Sequence, residues 1–265
     1  MLSGESTLTQ IGTTVRERRC IGTVNIEVVT RADAIDVVLG CASAHRPLMV
    51  TFANAHSVNL ARNDAEFADA MEEAFVLNDG LGIDLASKWL FGRPFPDNLN
   101  GTDYVPALIA AAREPVRLFL IGGRPGTARR AGELLASRHP EVALVGALNG
   151  YFGPEEEAEQ LRQIAASGAN LVLVAMGQPL QERWAKRHWR SIAGPCICVG
   201  ALLDFLAGNV PRAPSILRHL RLEWAFRLLN EPRRLGRRYL VGNATFLAMV
   251  LRSPRERPLE HGVSN

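Results

Sequence analysis

Cysteine is scarce in this 265-residue chain: Cys20, Cys41, Cys196 and Cys198 form no CxxC pair. That pattern gives no ground for a zinc site or a disulfide framework, and Cys196 and Cys198 lie in an apolar run that reads as a buried strand, so structural thiols are expected. There is no HExxH, no GxSxG, no EF-hand loop and no DxD pair, so neither metal nor serine-hydrolase chemistry has a sequence signature, and no cofactor is expected. Aromatic residues make up only 6%, without an RNP or helix-turn-helix signature, which counts against nucleic-acid recognition. The apolar run from Tyr239 to Leu251 is about half the ~20 residues a membrane span requires. No long apolar segment follows the first charges, so a secretory signal is not expected and cytoplasmic residence is the default. Internal repeats and low-complexity segments are also missing.

What is present is enough apolar residue, 47%, for one large α/β domain with an appendage. Charge is uneven along it. From Arg212 to Arg257 there are eleven arginines, no lysine and three glutamates, a local balance of +8 in a chain of net +3, which leaves the remainder at −5. A basic tail on a mildly acidic body is expected to meet something anionic: a phosphorylated substrate, an anionic membrane surface or nucleic acid. Three parts are expected: a loose lead-in over 1–19, an α/β catalytic domain over 20–210 and a helical basic appendage over 211–265.

Along the chain, strands are predicted at Val24–Val29, Leu48–Phe52, Phe75–Leu77, Val116–Ile121, Val142–Val145, Ala169–Ala175 and Pro195–Val199. Helices are predicted at Arg31–Ala44 with Thr30 as cap, Asp64–Phe75, Gly82–Phe91, Val105–Arg113 with Thr102 or Asp103 as cap, Thr127–Arg138, Pro154–Ser167 and Leu180–Trp189. Two further helices, Ser215–Leu229 and Arg233–Leu251, are expected in the appendage, separated by Glu231-Pro232. This alternation predicts a doubly wound, mainly parallel, Rossmann-like sheet. Its glycine-bearing turns fall at strand C-terminal ends, the edge where open α/β sheets bind ligands.

The organising stretch is Met49 to Leu85. Its first strand ends in Asn54-Ala55-His56-Ser57, suited to a turn or helix cap, and its second delivers Asn78-Asp79-Gly80 to the same rim. On spacing alone, Asn78-Asp79-Gly80 is ordinary turn chemistry. Other motifs are equally two-sided. Gly122-Gly123-Arg124-Pro125-Gly126 fits a phosphate at a helix N-terminus or a plain tight turn. Gly177-Gln178-Pro179-Leu180-Gln181-Glu182 offers amides to a base or sugar, or simply starts a helix. Asp204, in the apolar setting ALLDFLAG, needs a partner, either Arg212 or a ligand hydroxyl. His56 is a general-base candidate or a packing and capping residue. Arg227, Arg233-Arg234 and Arg237-Arg238 are expected largely on one helix side, where guanidinium forks could grip a diphosphate or merely form a solvated face.

In order, NAH and VNLA, LNDGLGIDLA, NLNGTD, FLIGG, NGYF, MGQPLQE, GALLDFLAG with PRAP, and LEWAFRLLNEPRR with RRYL resemble the WecG/TagA/CpsF family from about Gly22 to Phe246. The resemblance implies a cytoplasmic, metal-independent, inverting glycosyltransferase on the inner face of the plasma membrane. Such an enzyme moves a hexose from a UDP-sugar to a polyprenyl-diphosphate-linked sugar in polysaccharide synthesis. It implies that Asp79 is the catalytic aspartate, that Gln178 and Asp204 belong to the substrate pocket, and that the arginine-rich appendage closes over the site and engages the membrane. UDP-sugar contacts are accordingly expected from Asn54, Asn100, Gly101, Asp103, Gly122, Gly123, Gln178, Gln181 and Asp204. Arg212, Arg227, Arg234 and Arg237 are expected to meet the acceptor diphosphate or the leaving-group charge. Two positions depart from the family pattern: Thr51 stands two residues too early for the threonine that often precedes the matched asparagine, and Asn98 replaces a frequent arginine. A rival reading is a nucleotide- or nucleic-acid-binding regulator with a basic tail; the enzyme reading expects no nucleic acid, and a homo-oligomer is left open.

Overall fold

The computed structural model describes residues 9–10, 15–214, 216–217 and 223–255. Two short antiparallel pairs precede the main sheet: β1 (Thr9–Gln10) with β2 (Val15–Arg16), and β3 (Arg18–Ile21) with β4 (Val24–Glu27). The strand predicted at Val24–Val29 thus ends at Glu27 and pairs with the segment before it, outside the parallel sheet. This hairpin is anchored by Arg19, which is 1% exposed. Its guanidinium donates to Ser87 Oγ at 2.7 Å and to the carbonyls of Arg93 and Pro94 at 2.9 Å each.

The main sheet has six parallel strands: β5 (Leu48–Ala53), β6 (Phe75–Asn78), β7 (Val116–Gly122), β8 (Val142–Leu148), β9 (Leu171–Ala175) and β10 (Pro195–Cys198). Their order is β6-β5-β10-β9-β7-β8. The helices are α1 (Arg31–Ser43), α2 (Ala55–Ala61), α3 (Ala65–Glu73), α4 (Leu81–Phe91), α5 (Gly101–Ala111), α6 (Thr127–Arg138), α7 (Pro154–Ser167), α8 (Leu180–His188) and α9 (Leu202–Leu206). This is the doubly wound α/β fold expected. Alternation along β5 builds both faces at once, because successive strand side chains point to opposite sides. Met49 and Ala53 join the core under α2, α3, α4, α7 and α8, whereas Leu48, Val50 and Phe52 join the core under α1, α5 and α6. Crossovers stepping towards β6 put α3, α7 and α8 on the first face, and those stepping towards β8 put α5 and α6 on the second. All therefore share one hand, as strand twist demands.

Several elements follow directly from local chemistry. Thr30 caps α1 as expected, accepting from the Asp33 amide. In α3 the predicted face, Phe67, Ala70 and Met71, is buried, and each large side chain so covered contributes about 1.5–3 kcal/mol. Helix α5, however, starts at Gly101 rather than Val105, and its cap is Asn100, not Thr102 or Asp103. Asn100 Oδ1 accepts the Asp103 amide at 3.0 Å, satisfying one of the orphan N–H groups of the first turn.

The appendage contains α10 (Glu223–Asn230), α11 (Pro232–Gly236), a π-helical turn over Arg237–Val241 and α12 (Gly242–Arg252). The helix predicted at Ser215–Leu229 is described only at 216–217 and from Glu223; its remaining residues lie outside the described ones. The single helix expected from Arg233 to Leu251 is interrupted by the wider turn, which changes the angular register of the arginines on either side. Helix α12 lies on α2 and α4, with Phe246 and Val250 in the core and Asn59 donating to the Gly242 carbonyl at 2.7 Å. No helix among the described residues is long and apolar enough to cross a membrane.

Candidate active site

The carboxyl ends of β5 and β6 open into a cavity of about 750 Å³, closed on the far side by α10, the π turn and α12. Asn54 caps α2: its Oδ1 accepts the backbone N–H groups of His56 at 3.0 Å and Ser57 at 3.2 Å, and its backbone N–H donates to Ser57 Oγ at 3.2 Å. With the oxygen so engaged, Asn54 Nδ2 points the other way and donates to Asp79 Oδ2 at 3.2 Å. The Asp79 backbone is fixed by its N–H to the Ala53 carbonyl at 2.8 Å. Gly80, at φ +90, then turns the chain into α4, in the region that favours glycine. Its N–H donates to Asn98 Oδ1 at 2.9 Å. The buried Asn78 holds the same loop by donating to the Asp97 carbonyl at 2.8 Å.

Burial pushes the Asp79 carboxyl above the ordinary aspartate value, opposed by the Asn54 hydrogen bond and by the charges of Arg227 and Arg238, and reinforced by the nearby Asp103. Glu223 on α10, also lining the cavity, is raised chiefly by burial and further by Asp103 and Asp79, against the pull of Arg212 and Arg227. His56 is pushed down to about 4 by burial and then by Arg238, so its imidazole is neutral near pH 7. Arg212 is paired with Asp103, binding the start of the appendage to α5. The pairing once possible between Arg212 and Asp204 is therefore not made; Asp204 instead accepts from Asn209 Nδ2 at 3.0 Å.

The structure divides the expected site residues into two groups. Asp79, Asn54, Asn100, Asp103 and Arg227 line the cavity. Gly101 is buried behind it against the Phe52 ring. Gly122, Gly123, Gln178, Gln181 and Asp204 occupy the neighbouring rim over β7, β9 and β10. There the Gly123 N–H is already bonded to the Ala175 carbonyl at 3.1 Å. Gln181, 3% exposed, accepts from the Gly177 and Gly200 amides at 3.2 and 3.0 Å and donates to Glu182 at 2.8 Å. Gln178 links the two groups by donating to Ser57 Oγ at 3.0 Å. Thr51 faces inward, donating to the buried Glu182 at 3.0 Å, away from the cavity. The side chains of Arg234 and Arg237 lie outside the described residues. Arg238, expected only as part of the arginine face and not among the four arginines assigned to the diphosphate, is brought to the cavity by the π turn; Glu223 also faces the cavity and was missed, standing in an arginine-rich stretch that drew attention to the opposite charge.

Fold and cavity together define a doubly wound α/β protein whose cleft carries a desolvated aspartate opposite arginines. The family model described as Glycosyl transferase WecG/TagA/CpsF family matches residues 19–259, and the chain belongs to that family. It is therefore an enzyme, a glycosyltransferase, and the family implies a nucleotide-sugar donor and a lipid-linked acceptor. Of the two functions the sequence admitted, the enzyme stands.

Proposed function

We propose that this chain transfers a hexose, with inversion, from a UDP-sugar of the UDP-ManNAc, UDP-ManNAcA or UDP-Glc type to a polyprenyl-diphosphate-linked sugar in cell-surface or extracellular polysaccharide synthesis. It works as a peripheral protein on the cytoplasmic face of the membrane. The observation that carries this reading is Asp79: a carboxylate raised by burial, held by Asn54, on the floor of a cavity faced by Arg227 and Arg238. As an acceptor hydroxyl oxygen bonds to the anomeric carbon, the bond from that carbon to the UDP oxygen breaks, and the hydroxyl proton passes to Asp79. A base whose pKa is lifted towards working pH accepts that proton more effectively. UDP departs with its negative charge, which arginine side chains stabilise through charge-assisted hydrogen bonds.

The test uses the purified full chain, a panel of UDP-sugars and a water-soluble acceptor carrying a diphosphate-linked sugar. At least one pair is expected to yield product of inverted anomeric configuration, at a rate unchanged by EDTA. Retention of configuration, or no transfer from any UDP-sugar, would overturn the reading.

A further inference from the structure

The cavity is not polar throughout. Away from Asp79 it continues between α4 and α12, which pack side by side with Phe246 close to Gly82. Leu81, Leu85 and Trp89 repeat at four-residue intervals along one face of α4 and are 37%, 57% and 40% exposed; Leu247 and Leu251 repeat likewise on α12 and are 56% and 52% exposed. All five line the same cavity as Asp79. Single exposed apolar residues require no explanation, but a contiguous apolar strip marks an interaction site. At 1.5 Å per residue, Leu81 to Trp89 spans about 12 Å. Its inner end lies beside Asp79, and at its outer end the Arg255 guanidinium covers the Trp89 ring at 3.3 Å from the centroid.

We propose that this strip is a hydrocarbon subsite that holds the first isoprene units of the acceptor. The inference rests on the acceptor class given under Proposed function. The combination of chemistries in the cavity selects this occupant. A lipid-diphosphate sugar carries a nucleophilic hydroxyl, an anionic diphosphate and an apolar chain; the one cavity is lined by Asp79, by the arginines Arg227 and Arg238 whose charges act on it, and by the Leu81, Leu85, Trp89 strip that starts beside it. A bilayer surface would need an apolar face but no continuity with the catalytic carboxylate. Holding the chain at its diphosphate end draws those units out of the membrane and fixes the sugar hydroxyl against Asp79.

The experiment compares soluble acceptors bearing the same diphosphate-linked sugar on a methyl group or on one, two or three isoprene units, in the parent chain and in the double variant Leu85→Gln, Leu247→Gln. Both side chains are more than half exposed, and an unchanged Tm verifies the fold of the variant. In the parent, KM is expected to fall by at least about tenfold from the methyl to the longest tail, as apolar area leaves water. In the double variant that ratio is expected to collapse towards one. Calorimetric binding of a three-unit isoprenyl diphosphate decides the same question without turnover, with the variant expected to bind at least about tenfold more weakly. A KM independent of tail length in the parent, or a ratio and affinity unaltered in the variant, would overturn the proposal. A variant that lost only its binding to anionic vesicles would make the strip a bilayer contact and overturn it too. Failure of every acceptor to react would count against the transferase reading, whereas the calorimetric comparison would still decide the subsite.

Discussion

On the β5 and β6 half of the rim, Asn54 holds the Asp79 carboxylate, Asn98 accepts the Gly80 N–H and Asn100 accepts the Asp103 N–H, and Asn54, Asp79, Asn98 and Asn100 all still line the cavity. On the β9 and β10 half, Gln181 and Glu182 close upon themselves: three side chains, Thr51, Gln178 and Gln181, donate to Glu182 Oε1 at 3.0, 3.3 and 2.8 Å. The halves use the same residue types, amides and carboxylates at strand ends. Their difference lies in where the hydrogen-bonding capacity goes. Buried polar groups seek partners; the second half directs most of its capacity inward and so holds strands and helices together, although the buried Glu182 Oε2 has no hydrogen-bond partner among the described residues and burial raises the Glu182 carboxyl. Asp79, which accepts from Asn54 Nδ2, is likewise raised by burial, but it lines the cavity and Glu182 does not, so its remaining acceptor capacity is open to a ligand.

Substitutions can break or sharpen that contrast. The largest effect is expected for Asp79→Asn, a loss of about 10²–10⁴-fold in kcat, the usual contribution of a general base. Its stability should move the other way. Because burial raises the folded pKa, the native chain binds an extra proton between the unfolded and folded values, and stability is lost as pH rises through that window. The asparagine variant escapes this cost, and at neutral pH its Tm is expected to equal or exceed that of the parent. Arg227→Ala comes next, with a loss of about 10- to 100-fold in kcat/KM, corresponding to one hydrogen bond to a charged group. On the other half, Gly122→Ala is expected to act on stability. A Cβ there would sit 2.3 Å from the Ala175 carbonyl oxygen with φ at +144, costing at least about 1–3 kcal/mol in strain and several degrees in Tm. The smallest effect is expected for Thr51→Val, which removes one donor from Glu182: a modest fall in Tm, with kcat on soluble acceptor unchanged.

Much of the fold was legible because periodicity is local. The alternating β5 residues and the Phe67, Ala70, Met71 face state their own geometry, and glycines at strand ends locate the rim. Asn54 and Asp79 could be placed on that rim, but their hydrogen bond spans 25 residues and no local pattern encodes it. The same applies to Arg19, which lies in a segment without a period yet reaches Ser87 across 68 residues. Pairing of Arg212 with Asp103 rather than Asp204 depends on how the appendage folds back. The choice of Arg238 for the cavity depends on a π turn that breaks the three/four spacing from which the arginine face was read. The family resemblance pointed to Asp79, which spacing alone left as a turn residue, while its electrostatic setting emerged only from tertiary contacts.

The most direct test of Asp79 as the base is the pH dependence of kcat/KM on soluble acceptor for the parent, Asp79→Asn and Arg238→Ala chains. Rate should rise with pH as the base loses its proton, so the parent is expected to show an acid limb above the ordinary aspartate value. Arg238 opposes the rise in that pKa, so removing it is expected to move the limb to higher pH. The residual activity of Asp79→Asn is expected to lack the limb altogether. An acid limb that persists unchanged in Asp79→Asn would assign the proton transfer to another group and contradict the mechanism.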